Sequence, residues 1–123
     1  VMGRRAFARG IAGAAVVSLL VAITGCAAGT PEVVPSDDDA DAAVTVTVID
    51  NRYEPAEVEI AVGDAVTWEF AGGMEHDVVA DDGSFVSELT RSGTYTHVFT
   101  AAGEYGYDCS VHPEMTGVVR VSE

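Results

Sequence analysis

The stretch Glu57-Val58-Glu59-Ile60-Ala61-Val62-Gly63-Asp64-Ala65-Val66-Thr67-Trp68-Glu69-Phe70 decides the fold. Val58, Ile60 and Val62 alternate with Glu57, Glu59 and Ala61; beyond Gly63-Asp64, Val66, Trp68 and Phe70 alternate with Thr67 and Glu69. Successive side chains of a strand point to opposite faces, so this period of two describes two half-buried strands, apolar side inward. Gly63-Asp64 is the tight connection between them. The same period continues outward. Val44, Val46 and Val48 alternate with Thr45 and Thr47, and further strands are expected near 76–80, 94–99, 104–109 and 118–121. Asp81-Asp82-Gly83 and Arg91-Ser92-Gly93 punctuate them, and no segment carries a 3.6-residue period. About seven short strands with frequent turn signals describe an all-β protein, a β-sandwich.

The ends of the 123-residue chain read differently. Arg4, Arg5 and Arg9 precede an uncharged run of 14 residues, 11–24. That run is short of the roughly 20 residues that span a bilayer and suits the apolar region of a signal peptide. Ile23-Thr24-Gly25-Cys26 resembles a bacterial lipobox, which makes residues 1–25 a leader and Cys26 the lipidated residue. Gly3-Arg4-Arg5-Ala6-Phe7 resembles, less specifically, a twin-arginine export signal. Residues 26–43 hold Pro31, Pro35 and the acids Asp37, Asp38, Asp39 and Asp41, with few large apolar residues. They are expected to form an extended, disordered tether to a domain spanning 44–123.

From Cys26 onward, twenty acids face only Arg52, Arg91 and Arg120, a net charge of −17. Such a surface excludes nucleic acid and direct adsorption on anionic lipid, and favours solubility or a cationic partner. With Cys26 assigned to the anchor, Cys109 has no disulfide partner, and an unpaired thiol in an exported protein calls for a role.

That role is indicated by Tyr105-Gly-Tyr-Asp-Cys-Ser-Val-His-Pro-Glu-Met-Thr-Gly117. Cys109 ends a strand, and His112 and Met115 follow on what reads as a short loop. Thiolate, imidazole and thioether suit copper, and two His, one Cys and an axial Met make the blue-copper set. Structural zinc sites do not use Met. His76, at the start of a strand, can face that loop, whereas His97, mid-strand between Tyr95 and Phe99, reads as a partly buried structural histidine.

The domain resembles the cupredoxins, most closely the amicyanin and plastocyanin branch. The likeness rests on Tyr53-Glu-Pro55 with Val58-Glu-Ile60, on 62–68, on His76-Asp-Val78, on Phe99 with Ala102-Gly-Glu-Tyr105, and on 109–117. It spans nearly all of 44–121, and the Cys-x2-His-x2-Met spacing is of the amicyanin type. The resemblance implies a Greek-key sandwich with one copper at one end, bound by His76, Cys109, His112 and Met115. It also implies electron passage through His112, with Met74, Pro113 and Met115 as apolar surroundings. Where relatives often carry Asn, tying the two ligand loops together, this chain has Asp77. An ionised carboxylate there would favour Cu(II), unless it points to solvent.

These readings lead to a monomeric, non-enzymatic carrier of single electrons between unidentified redox donor and acceptor proteins. It would be lipid-anchored at the outer face of the membrane, extracellular or periplasmic. The alternative is a copper-buffering or copper-delivery module, which the closed four-ligand set and the absence of a Met-rich run disfavour. An oxidase or reductase role needs more copper ligands than the chain supplies.

Overall fold

The computed structural model describes residues 31–123; the expected leader, residues 1–25, and Cys26 lie outside them. Eight strands are present, β1 (Ala42–Ile49), β2 (Arg52–Glu54), β3 (Glu57–Ala61), β4 (Ala65–Phe70), β5 (Val79–Ala80), β6 (Gly93–Val98), β7 (Gly103–Cys109) and β8 (His112–Ser122), with no helix among the described residues. They form two four-stranded sheets, ordered β2-β1-β4-β6 and β3-β8-β7-β5. β1 runs parallel to β4, and β3 parallel to β8; these crossovers interleave the two sheets in sequence. The protein is an all-β two-sheet sandwich.

Alternation places the core where the sequence puts it. Val46, Val48, Val58, Ile60, Val66, Trp68, Phe70, Val119 and Val121 are buried between the sheets. The Trp68 ring stacks on Phe85 at 5.3 Å and meets Tyr107 edge-on at 5.4 Å. Gly117 lies directly opposite Tyr107 in the β7–β8 pair, and the Tyr107 ring occupies the space that a Cβ at residue 117 would need.

The structure departs from the sequence expectation at four places. Val62, expected on the inward face, is exposed, because β3 ends at Ala61 and Val62 opens the turn to β4. That turn is closed by Asp64 N–H donating to Ala61 O at 3.0 Å, with Gly63 at φ +93°. The strand expected over 76–80 is reduced to Val79–Ala80, since its first residues pair irregularly with 86–90: His76 exchanges both backbone hydrogen bonds with Thr90, at 3.0 and 2.9 Å. His112 and Met115 are not on a loop but on β8, which starts immediately after the Ser110-Val111 turn.

The fourth departure concerns the tether. Val34 N–H donates to Val86 O at 2.9 Å and Asp37 N–H to Thr96 O at 2.8 Å, while the Asp37 carboxylate accepts from Val98 N–H at 2.8 Å. Val34 therefore docks beside Val86, while residues 36–37 dock on the otherwise open edge of β6, and β1 begins at Ala42. Backbone hydrogen bonds together with those of the Ser36 and Asp37 side chains supply this docking, which is why a low-hydrophobicity segment is ordered here.

Candidate metal centre

β7 ends at Cys109, a two-residue turn follows, and β8 opens with His112; Cys109 and His112 are paired across this hairpin at a register shift. The hairpin therefore delivers thiol and imidazole from adjacent strand ends. The third group arrives from the other side. The β4–β5 connection passes Gly72-Gly73-Met74-Glu75 and sets His76 through its backbone bridge to Thr90. The donor atoms of His76, Cys109 and His112 lie within 4.8 Å of one another. Cys109 Sγ is 3.8 Å from Nδ1 of His76 and 3.8 Å from Nδ1 of His112. Met115, 1% exposed, belongs to the same core cluster as Cys109. His97 is far from this set in role: it lies half-buried on β6, its ring against Phe85 and Phe99.

Burial is graded across the site. Cys109 is fully buried and His76 is 1% exposed, whereas His112 is half-buried at the rim. Around His112 the side chains of Met74, Leu89 and Val111 are exposed, with Glu75 and Arg91 lining the same shallow depression. Pro113 is exposed as well, but Met115 lies in the core, so it is not part of this apolar rim. Leu89 and Val111 were not singled out in the sequence; Leu89 comes from a segment with no strand period.

The surrounding hydrogen bonds hold the donors. Asp77 is 4% exposed and does not point to solvent. Its carboxylate accepts from the Ser110 backbone N–H at 2.7 Å and from the Ser110 hydroxyl, tying the segment after His76 to the segment after Cys109. The Tyr53 hydroxyl donates to Asp77 O at 2.6 Å, anchoring the same segment to β2. On the far side of His76, Nε2 is 3.0 Å from Asp50 Oδ1. Asp50, in the β1–β2 turn, was missed by sequence reasoning, since nothing in its neighbourhood marks it as a ligand partner. Its carboxyl is held below the usual carboxylate range by the His76 hydrogen bond first, then by the Gly73 and Met74 N–H groups. Burial pushes the Cys109 thiol up.

The donor set fits a soft, redox-active metal. Nε2 of His76 is occupied by Asp50, which leaves Nδ1 as its free donor, and the Cys109 sulfur lies 3.8 Å from an imidazole nitrogen of each histidine. A thiolate with two imidazoles in a dry pocket, with a thioether buried in the same cluster, is the chemistry of type 1 copper.

Sandwich topology and this centre together define a cupredoxin. The family model for the cupredoxin-like domain matches residues 14–121, and the chain belongs to that family. Within it, the chain is similar to amicyanin-alpha of Methylorubrum extorquens, 34% identical over 92% of this chain and 98% of that protein. It is also similar to amicyanin of Paracoccus denitrificans, 35% identical over 67% of each. Among solved structures, a reduced Cu(I) form of an amicyanin variant at pH 4 superposes with a TM-score of 0.61 at 32% identity, covering 76% of this chain and 94% of that one. The cofactor is one type 1 copper.

Proposed function

We propose that this chain is a one-electron carrier whose copper is bound by His76, Cys109, His112 and Met115. The observation that carries the reading is the preformed cluster: three nitrogen and sulfur donors within 4.8 Å, with His76 turned so that Nδ1 faces Cys109. Copper supplies reversible one-electron chemistry between Cu(II) and Cu(I). The protein's share is to fix the donors before the metal arrives. The Asp77–Ser110 and Tyr53–Asp77 hydrogen bonds hold the two donor segments at one separation, so little rearrangement accompanies a change of oxidation state. Buried Cys109 and His76 exclude water, while half-buried His112, among Met74, Leu89 and Val111, gives partners their point of approach.

The carrier works outside the cell membrane, between redox donor and acceptor proteins. Its leader is residues 1–25, and lipid on Cys26 anchors it. The apolar run 11–24 and the lipobox-like residues 23–26 support this placement. No helix among the described residues is long and apolar enough to cross a membrane.

The test is to load the purified protein with Cu(II). An intense blue thiolate-to-copper band with a reversible couple is expected, and the band should vanish in Cys109→Ser. A weakly held, colourless ion would replace this reading with copper buffering. The lipid is tested by mass spectrometry of membrane-extracted protein; an unmodified Cys26 would remove the anchor.

A further inference from the structure

The β1–β2 turn carries a carboxylate that the copper reading does not by itself require. We propose that Asp50 is a positioning residue of the copper centre: its carboxylate fixes the His76 ring with Nε2 as the N–H and Nδ1 as the metal donor, and its charge biases the centre toward Cu(II). The proposal rests on copper binding at His76.

The geometry is specific. A carboxylate can only accept, so the 3.0 Å contact between His76 Nε2 and Asp50 Oδ1 requires the proton to be on Nε2. The opposite nitrogen is then the lone-pair donor, and it is the one that faces Cys109 Sγ at 3.8 Å. Hydrogen bonding of the outer nitrogen to a carboxylate raises the basicity of the ligating one, which favours the more highly charged metal.

Asp50 is itself held in place. Gly73 N–H donates to Oδ2 at 3.2 Å and Met74 N–H to Oδ1 at 3.1 Å, so the loop leading to His76 wraps the carboxylate. That wrapping depends on glycine. A Cβ at Gly72 would lie 2.6 Å from Asp50 Oδ1 and 3.2 Å from the Asp50 backbone nitrogen. On the other flank, Asn51 takes the left-handed conformation at φ 67°, which Asn tolerates better than most residues, and this turns the chain sharply after Asp50. The turn, the glycine pair and the histidine form one arrangement. Capping the Gly73 and Met74 amides alone would not require His76, nearly fully buried, to meet the same oxygen.

Outer partners of ligating histidines typically contribute 10- to 100-fold in metal affinity. The Asp50 side chain is 44% exposed, and water screens its charge, which places the effect near the lower figure.

The experiment uses two variants of the copper-loaded chain. Asp50→Asn removes the charge but keeps an oxygen acceptor; Asp50→Ala removes both. The midpoint potential should rise in Asp50→Asn by the equivalent of about a tenfold loss of Cu(II) over Cu(I) preference, about 59 mV for one electron. The His76 Nε2 proton, followed by 15N-edited NMR of the reduced, diamagnetic protein, should exchange slowly in the wild type. In Asp50→Ala it should exchange at least about tenfold faster, because the hydrogen bond that protects it is lost. A wild-type potential in Asp50→Asn, or a rapidly exchanging Nε2 proton in the wild type, overturns the proposal; the second readout stands even if a variant fails to fold. Absence of a blue band in the wild type would instead sink the carrier reading, so the two failures are distinguishable.

Discussion

Asp77 and Ser110 are joined twice: the buried Asp77 carboxylate accepts both the backbone N–H of Ser110, at 2.7 Å, and its hydroxyl. The residue after one histidine is thereby tied to the residue after the cysteine. A hydrogen bond contributes about 1 kcal/mol net, and a buried N–H left unpaired costs about 1–3 kcal/mol. Asp77→Ala should therefore lower stability by about 2–4 kcal/mol, since both bonds go and the Ser110 N–H is left unpaired. Ser110→Ala removes only the hydroxyl and should cost about 1 kcal/mol. Asp77→Asn keeps an acceptor for the backbone N–H and removes a negative charge, so its potential should rise. Urea unfolding and voltammetry on the three variants check all three statements; equal losses in Asp77→Ala and Ser110→Ala would show that the backbone bond contributes nothing.

Gly117 should be intolerant of even one methyl group. Its Cβ would sit inside the van der Waals envelope of the Tyr107 ring across the β7–β8 pair. Tyr107 is packed between Tyr53, at 4.7 Å, and Trp68, so it has nowhere to move. Overpacking of this kind costs about 1–3 kcal/mol. Gly117→Ala should lose that much by urea denaturation, and the loss should shrink in a Tyr107→Val background. An undiminished cost in the double variant would place the effect in the backbone rather than in the ring contact.

What could be read from the sequence, and what could not, follows from the range of each interaction. Val58, Ile60, Val66, Trp68 and Phe70 announce their burial through period two, because strand geometry alone fixes which face they take. His76, Cys109 and His112 announce themselves by rarity and spacing, and the structure brings them together. Val62 fails because alternation says nothing about where a strand stops. Pro113 and Glu114 read as loop, and although β8 runs through them they have no partner on β7, whose register jumps from Asp108 opposite Thr116 to Cys109 opposite His112. Asp50 is illegible because its meaning lies in Gly73, Met74 and His76, 23 to 26 residues away. Docking of residues 34–37 is illegible for the same reason: their partners Val86, Thr96 and Val98 are brought near only by the sandwich.

His97 predicts a pH dependence of stability. Its ring is largely buried between Phe85 and Phe99, and burial lowers its pKa below the ordinary 6.5 despite the opposing pull of Asp37 and Asp82. The unfolded chain therefore takes up a proton near pH 6.5 that the folded chain refuses until lower pH. More protons bound in the unfolded state means that stability rises with pH. The contribution is complete above the unfolded value and is lost as pH falls from there toward the folded one. The slope from this group cannot exceed about 1.4 kcal/mol per pH unit. His97→Phe should flatten the change in stability between pH 7.5 and 5.5 relative to wild type, and comparing the two proteins cancels the groups they share. An identical slope in both would mean that His97 takes up its proton equally in the two states.

Electron transfer should be limited by the surface around His112. Met74, Leu89 and Val111 are 49%, 43% and 49% exposed and surround His112, the half-buried imidazole of the metal site. When two copies meet there, these side chains lose water at no polar cost, and the remaining barrier is repulsion between two strongly acidic molecules. Added salt screens that repulsion, so self-exchange should quicken with ionic strength. Val111→Asp should slow it about tenfold or more at any salt, because bringing an unpaired carboxylate into the contact costs about 1–3 kcal/mol. The visible spectrum should not change, since Val111 supplies no donor atom. NMR line broadening in mixtures of oxidised and reduced protein measures the rate; a variant that exchanges as fast as wild type would move the electron route away from His112.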